Sequence, residues 1–462
     1  VQLRAASTDV RNAATLPGPP PFVQTRSMFD TRFAVTTAAR QRVGFAVLTA
    51  LFLIIYWIAA RNAQVHLGGD TTAFEEVARN QLSWSTIFST QRPPIYPALF
   101  RLAGFSRPAV AAVQVAAYVA VWVFLAASLG RGNLPMVACV FYVALYPGFA
   151  AWNQVLMSES LATSLGVLAF AFLVRFVDGQ RWAIWAFVAV MCLKCFLRGF
   201  DSVLGLFCIP LLIAAALMRG LSWRSLAAAC LALLLCCAFV NRSTGGLPDS
   251  VWYFALMNNI GTRVLPDPDW LAYFQAHGMP VNDALLSMTG ALAHEQNMRF
   301  FLDPDLGDFR AWVIAHGRST YTAYLLSHPG LIFSLLWQHR AEVFLGGAFP
   351  YEVYFDPGYR LNVPPWPSFS VIYAGGTVGM VVLAVLVSLR RVPRGLALPS
   401  WTAIGLWLML LPIAICTYHA DAGEISRHAL PLISQAALTL LLMLNVLGRA
   451  FGPALRRVTR TV

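Results

Sequence analysis

Ten apolar runs punctuate this chain, at about 43–60, 109–128, 134–150, 158–174, 182–198, 203–218, 225–240, 369–389, 396–417 and 429–447. Each holds roughly 16–22 residues, near the ~20 that an α-helix needs to cross ~30 Å of hydrocarbon. Few folds are open to such a chain. Backbone amides cannot be left unpaired in lipid, so runs of this length must span as helices. The pattern predicts an all-α polytopic membrane protein with about ten transmembrane helices. Composition agrees: 58% of residues are hydrophobic and 12% charged, where a soluble domain carries about 25% charged residues.

The net charge of +12 would point a soluble protein toward nucleic acid. Here the basic residues flank apolar runs, so no nucleic-acid role follows. An even number of spans puts both termini on one side. One set of short connections holds Arg40 and Arg42; Arg131; Arg175 and Arg181; Arg219 and Arg224; Arg390, Arg391 and Arg394; and Arg449, Arg456 and Arg457. Short basic loops face the cytoplasm. Of the 21 carboxylates, only Asp9, Asp30 and Asp178 fall on that side. The chain then divides into a cytoplasmic tail (1–42), an amino-terminal membrane module (43–240) whose first exoplasmic segment is 61–108, an exoplasmic loop domain (241–368), carboxy-terminal membrane helices (369–447) and a second cytoplasmic tail (448–462). Helical spacing recurs in the loop domain over 283–301 and 309–326. Its many aromatic residues read as domain core and membrane interface, with sugar stacking the alternative. All eight cysteines lie in apolar runs and read as helix filler, not disulfides or zinc ligands.

Five polar clusters lie at span mouths on the exoplasmic side. In "GGDTTAFEEVARNQ", Asp70 follows the first span and precedes an amphipathic segment with Phe74, Val77, Ala78 and Leu82 at helical spacing. It is either a helix N-cap or a functional acid. In "RPPIYP", Arg92 to Pro97, prolines make a rigid turn that holds Arg92 and Tyr96, with Pro97 restarting the chain as helix. Glu159 stands at the exoplasmic start of the fourth span, where a carboxylate is costly unless paired or functional. Lys194, Arg198 and Asp201, spaced i, i+4, i+7, are predicted to share one helix face. They form either an internal ion pair or a phosphate site. "YHADAGEISRHALP" packs His419, Asp421, Glu424, Arg427 and His428 into one turn. Its acid and histidine spacing fits no standard metal pattern, and Arg427 at the mouth of the last span suits phosphate. Neither a metal nor a cofactor is predicted.

The order and sidedness of these clusters resemble the membrane glycosyltransferases of the GT-C superfamily. The likeness is strongest to the family 39 branch, which includes protein O-mannosyltransferases and aminoarabinose transferases. The first-loop acid matches Asp70, the R-P-P-x-Y-P turn matches Arg92 to Pro97, the fourth-span glutamate matches Glu159, and the late E-x-x-R-Y/H element matches Glu424, Arg427 and His428. The resemblance covers about 43–240 well and the large loop more weakly. It implies transfer of a sugar from a polyprenyl-phosphate donor to an exoplasmic glycan, lipid or protein, at a site on the periplasmic side of a bacterial inner membrane. It also implies Asp70 and Glu159 as catalytic residues. Arg92, Lys194, Arg198 and Arg427 would bind the donor phosphate, and Tyr96, Asp201, Glu424 and His428 would contact substrate. Two other classes are weighed against it. An O-antigen polymerase or ligase would not need the first-loop acid, and a lipid-linked saccharide flippase would bury polar groups along several helices.

Overall fold

A computed structural model describes residues 28–61, 64–83, 92–130, 132–199, 201–245, 251–344, 368–423 and 425–461. Among them every regular element is helical, and an isolated parallel bridge joins His66 to Val155. The membrane-type helices are α1 (Met28–Ala60), α2 (Arg107–Leu129), α3 (Leu134–Ala144), α4 (Ser158–Val177), α5 (Ala183–Leu197), α6 (Asp201–Met218), α7 (Trp223–Gly245), α8 (Phe369–Ser388), α9 (Arg394–Leu408, continued by Leu410–Ala420) and α10 (Leu430–Thr461).

This is a multi-pass, all-helical membrane protein with eight candidate spans among the described residues. There are nine if α3 and Pro147–Gln154, bent by 59° from it, count together. The expectation of ten meets its exception at α5. That helix has 15 residues, about 22 Å at 1.5 Å per residue, and stops where Arg198 turns extended at φ −146°, ψ 116°. Both expected tails are partly helical: α1 begins at Met28 and α10 runs on to Thr461.

α4 is the central element, packing against α2, α5 and α10. Ala162, Ser164, Gly166, Ala169 and Ala171 let its neighbours approach closely. Its buried share is 67%, against 11% for α1, which turns Val43, Val47, Leu51, Ile54 and Trp57 outward. Such an apolar face belongs against lipid tails.

Between α3 and α4, the chain forms a largely buried strap over 147–157. Gln114 of α2 donates to the carbonyls of Asn153 (3.1 Å) and Val155 (3.0 Å), and Asn153 donates to the Tyr56 hydroxyl (2.8 Å). These contacts satisfy backbone that helix geometry leaves unpaired. The first loop docks on the strap. The His66 amide donates to the Gln154 carbonyl (2.8 Å), and the Leu156 amide to that of His66 (3.0 Å).

The loop domain over 251–344 has its own core, built on Trp270, Phe274, Phe300, Phe309, Trp312, Tyr321 and Tyr324. These aromatic residues take the core reading, while Tyr351, Tyr354, Tyr359 and Trp366 lie outside the described residues. The expected helix over 283–301 is instead two short pieces, Asp283–Leu286 and Arg299–Leu302. Gly290 at φ +82° and the left-handed Gln296, Asn297 and Met298 interrupt it.

Candidate functional site

Asp70 stands before the helix Thr71–Glu76 but does not cap it. At φ −89°, ψ −5° its carboxylate makes no cap hydrogen bond. One carboxylate oxygen accepts from Arg92 Nη2 (2.8 Å) and the other from Arg427 Nη2 (2.6 Å). Gly68 permits this position. A Cβ there would lie 1.9 Å from the Met157 sulfur, so a side chain at 68 would have to displace that of Met157. The Thr71 hydroxyl then accepts from the Gly68 amide and donates to the Leu156 carbonyl, both at 2.8 Å.

Phe74, Val77, Ala78 and Leu82 are buried, as their spacing predicts. The second loop helix, Ile95–Leu102, has Pro94 as its N-cap, so it begins before Pro97. Tyr96, expected to meet substrate, is fully buried and donates its hydroxyl to Gln114. Its ring lies 4.8 Å from Phe74, edge to face. It therefore packs the two loop helices together, while Arg92 reaches Asp70 from the rigid Pro93–Pro94 turn.

Glu159, in the first turn of α4, is completely buried and accepts from Arg427 Nε at 2.6 Å. Arg198 Nη2 lies 3.5 Å from the same oxygen. Arg427 thus bridges two carboxylates of unlike exposure: the Asp70 side chain keeps 19% of its surface and Glu159 none. Only Asp70 can meet a solute from water. Burial alone would raise its carboxyl, but Arg92 and then Arg427 outweigh burial and hold it below the usual carboxylate range.

Lys194, Arg198 and Asp201 do not share one helix face, because α5 ends at Leu197 and α6 begins at Asp201. The turn nevertheless brings Lys194 Nζ within 2.8 Å of Asp201. This is the ion-pair alternative; the contact uses Asp201 Oδ1, and Oδ2 is buried with no hydrogen-bond partner. Arg198 Nη2 also meets His428 Nδ1 at 3.0 Å. Each of the four expected phosphate ligands therefore has a carboxylate partner already. Arg198 keeps an unused edge: its Nη1 is buried and has no hydrogen-bond partner. Glu424 lies outside the described residues.

Below this cluster opens a narrow cleft, with a cavity volume of about 80 Å³, between α4, α5, α6, α9 and α10. Glu159, Lys194 and Arg198 line its polar end, and Phe170, Leu173, Phe187 and Leu438 its apolar depth. From Glu159 to Leu173 it follows fourteen residues of α4, about 21 Å of helix. The Lys194 stem crosses Gly166 with its Cε 3.7 Å from where a Cβ would stand.

Asn258 of the loop domain had no separate signal in the sequence. Asp421 accepts from Asn258 of the loop domain (2.8 Å) and lies 3.3 Å from His428 Nε2. Burial would raise the Asp421 carboxyl, but contacts from His428, Asn258 and the Gly423 amide hold it low. The histidines and acids of its turn invited a metal reading, yet no cluster of metal-ligating geometry occurs among the described residues.

No family model matches this chain, and no curated protein does. Among solved structures it is similar to ArnT from Cupriavidus metallidurans in the apo state, at 14% identity and a TM-score of 0.32, covering 89% of this chain and 78% of that one.

Proposed function

We propose that this protein is a membrane glycosyltransferase that moves a sugar from a polyprenyl-phosphate carrier to an exoplasmic acceptor hydroxyl. The cleft carries the reading. An apolar shaft with arginine and lysine at one end matches a ligand that has a long apolar tail and a single anionic head. A nucleotide sugar, used on the cytoplasmic face, would have no use for the shaft.

The head group enters by sharing cations that now serve carboxylates. Arg198, which lines the cleft, keeps Nη1 as an unpaired buried donor, and charge-assisted bonds of this kind are the strong ones. As phosphate draws on Arg427 and Arg92, Asp70 loses part of the charge that holds its pKa low and becomes a better base. The acceptor oxygen then attacks the anomeric carbon. Its proton passes to Asp70 while the bond from that carbon to the phosphate oxygen breaks, and the electron pair leaves with polyprenyl phosphate. One displacement inverts the anomeric centre. Glu159, closed to water, orients Arg427 and Arg198 and takes no part in proton transfer. The site lies on the periplasmic face of the inner membrane in this reading.

The test is a turnover assay on folded Asp70→Asn protein with donor binding measured alongside. Loss of a general base costs about 10²–10⁴-fold in rate, so collapsed turnover with intact binding is expected. Near-normal turnover would refute the base. Mass spectrometry of the spent carrier separates the classes: polyprenyl phosphate marks this transferase, polyprenyl diphosphate a polymerase or ligase, and unchanged donor a flippase.

A further inference from the structure

Asp421, His428 and Arg198 form a line that ends at the cleft. The Arg198 guanidinium can only donate, so His428 Nδ1, 3.0 Å from Arg198 Nη2, must accept. The ring proton then sits on Nε2, which points at Asp421 Oδ2, 3.3 Å away. Asp421 is fixed in turn by two donors on its other oxygen, Asn258 Nδ2 and the Gly423 amide, both at 2.8 Å. Asn258, itself buried, accepts from the Ala293 amide at 2.7 Å. The loop domain also grips the end of α9. Arg263 donates to the Tyr418 carbonyl (2.7 Å), Tyr321 to that of His419 (3.1 Å) and Asn259 to that of Ala420 (3.1 Å).

Arg198 is 6% exposed. With Nη2 committed to His428 and Glu159, its rotation is locked, and Nη1 is left buried and unpaired on a residue that lines the cleft. An unsatisfied buried donor is costly unless something fills its place.

We infer that Asp421 is a positioning residue: it fixes His428 as the Nε2–H tautomer, His428 fixes Arg198, and Arg198 thereby presents Nη1 to the phosphate head of a lipid in the cleft. The loop domain, through Asn258, is what holds Asp421 in place. The inference rests on the donor reading for the identity of the anion and is independent of it for the tautomer.

Asp421→Asn keeps shape and can still accept from Asn258, but its amide turned toward His428 donates and calls for the opposite tautomer. Nitrogen-15 NMR of histidine-labelled full-length protein should place the His428 proton on Nε2 in the native chain and move it to Nδ1 in the variant. A native Nδ1–H signal overturns the inference without touching the donor reading. Affinity for a fluorescent short-chain polyprenyl phosphate, against the same alcohol without phosphate, supplies the second readout. Asp421→Asn should weaken phosphate binding about ten- to a hundredfold, the equivalent of one hydrogen bond to a charged group, and leave the alcohol unchanged. His428→Gln can accept from Arg198 through its own amide oxygen, so in that background Asp421→Asn should have no further effect. An equal loss in both backgrounds would mean that Asp421 only shapes the turn, and would overturn the inference. If the native protein prefers the alcohol, the inference and the donor reading fall together.

Discussion

Asp70 and Glu159 differ in one property that sets their roles: access to water. Glu159 is sealed beneath two arginines, so Glu159→Gln removes a buried negative charge and leaves Arg427 and Arg198 under-compensated. Breaking a buried pair in this way costs about 3–5 kcal/mol. A markedly lower midpoint of thermal unfolding in detergent is expected, with residual donor binding in whatever protein folds. Asp70 predicts a pH signature. Its folded pKa lies below the 3.8 of the free group. The stability from its ion pairs is therefore complete above pH 3.8 and is lost as pH falls through the lower folded value. The stability gap between native protein and Asp70→Asn should be constant from pH 7 to about pH 5 and narrow as pH falls below 3.8. A gap that closes near neutral pH would mean that Asp70 is not held ionised by Arg92 and Arg427. The sequence marked both acids by position, yet it left cap and functional acid as open alternatives for Asp70. A cap needs a backbone conformation that only coordinates reveal.

At the scale of elements, the strap over 147–157 decides where the first loop sits. Its contacts with Gln114 are made by a polar side chain inside an apolar run, and periodicity gives no account of them. Gly68 shows the same dependence. In the sequence it reads as a turn residue beside Gly69, whereas in the fold it is the crossing point with Met157. Gly68→Ala should be destabilised by about 1–3 kcal/mol, the range for overpacking a tight contact, and should lose turnover because Asp70 moves. Shortening the obstacle with Met157→Ala in the same chain should restore much of both. Failure of that rescue, measured by thermal unfolding and by turnover, would place the role of Gly68 elsewhere. The opposite lesson comes from α5 and α6. A helical reading of 194–201 drew three residues onto one face, but the chain breaks at Arg198, and the turn achieves the Lys194–Asp201 contact by another route.

Across the whole molecule, charge is sorted to two ends. Asp178 and Arg449 pair at 3.0 Å at the end remote from the cleft mouth, while Asp70, Glu159, Lys194, Arg198, Asp201 and Arg427 meet at the other. The turn between α4 and α5 lies at the remote end, and α5 brings the Lys194 stem back to Gly166 of α4. α5 has 15 residues, and the candidate spans among the described residues number eight, or nine with the bent pair. With the basic end cytoplasmic, a membrane-impermeant thiol reagent applied outside intact cells should label Thr289→Cys and miss Pro393→Cys, in a chain freed of reactive native cysteines. The reverse pattern would invert the topology and move the site to the cytoplasm. By itself the sequence determined the class of fold, the number of apolar runs, the sorting of charge and the order of the acidic and basic clusters, because apolar length and charge bias act locally along the chain. It did not determine that Arg427 would stand between Asp70 and Glu159, 357 and 268 residues away, or that Asp421 would tie the loop domain to Arg198. Those contacts depend on which helix faces meet, and packing against the small residues of α4 settles that only when the whole bundle has formed.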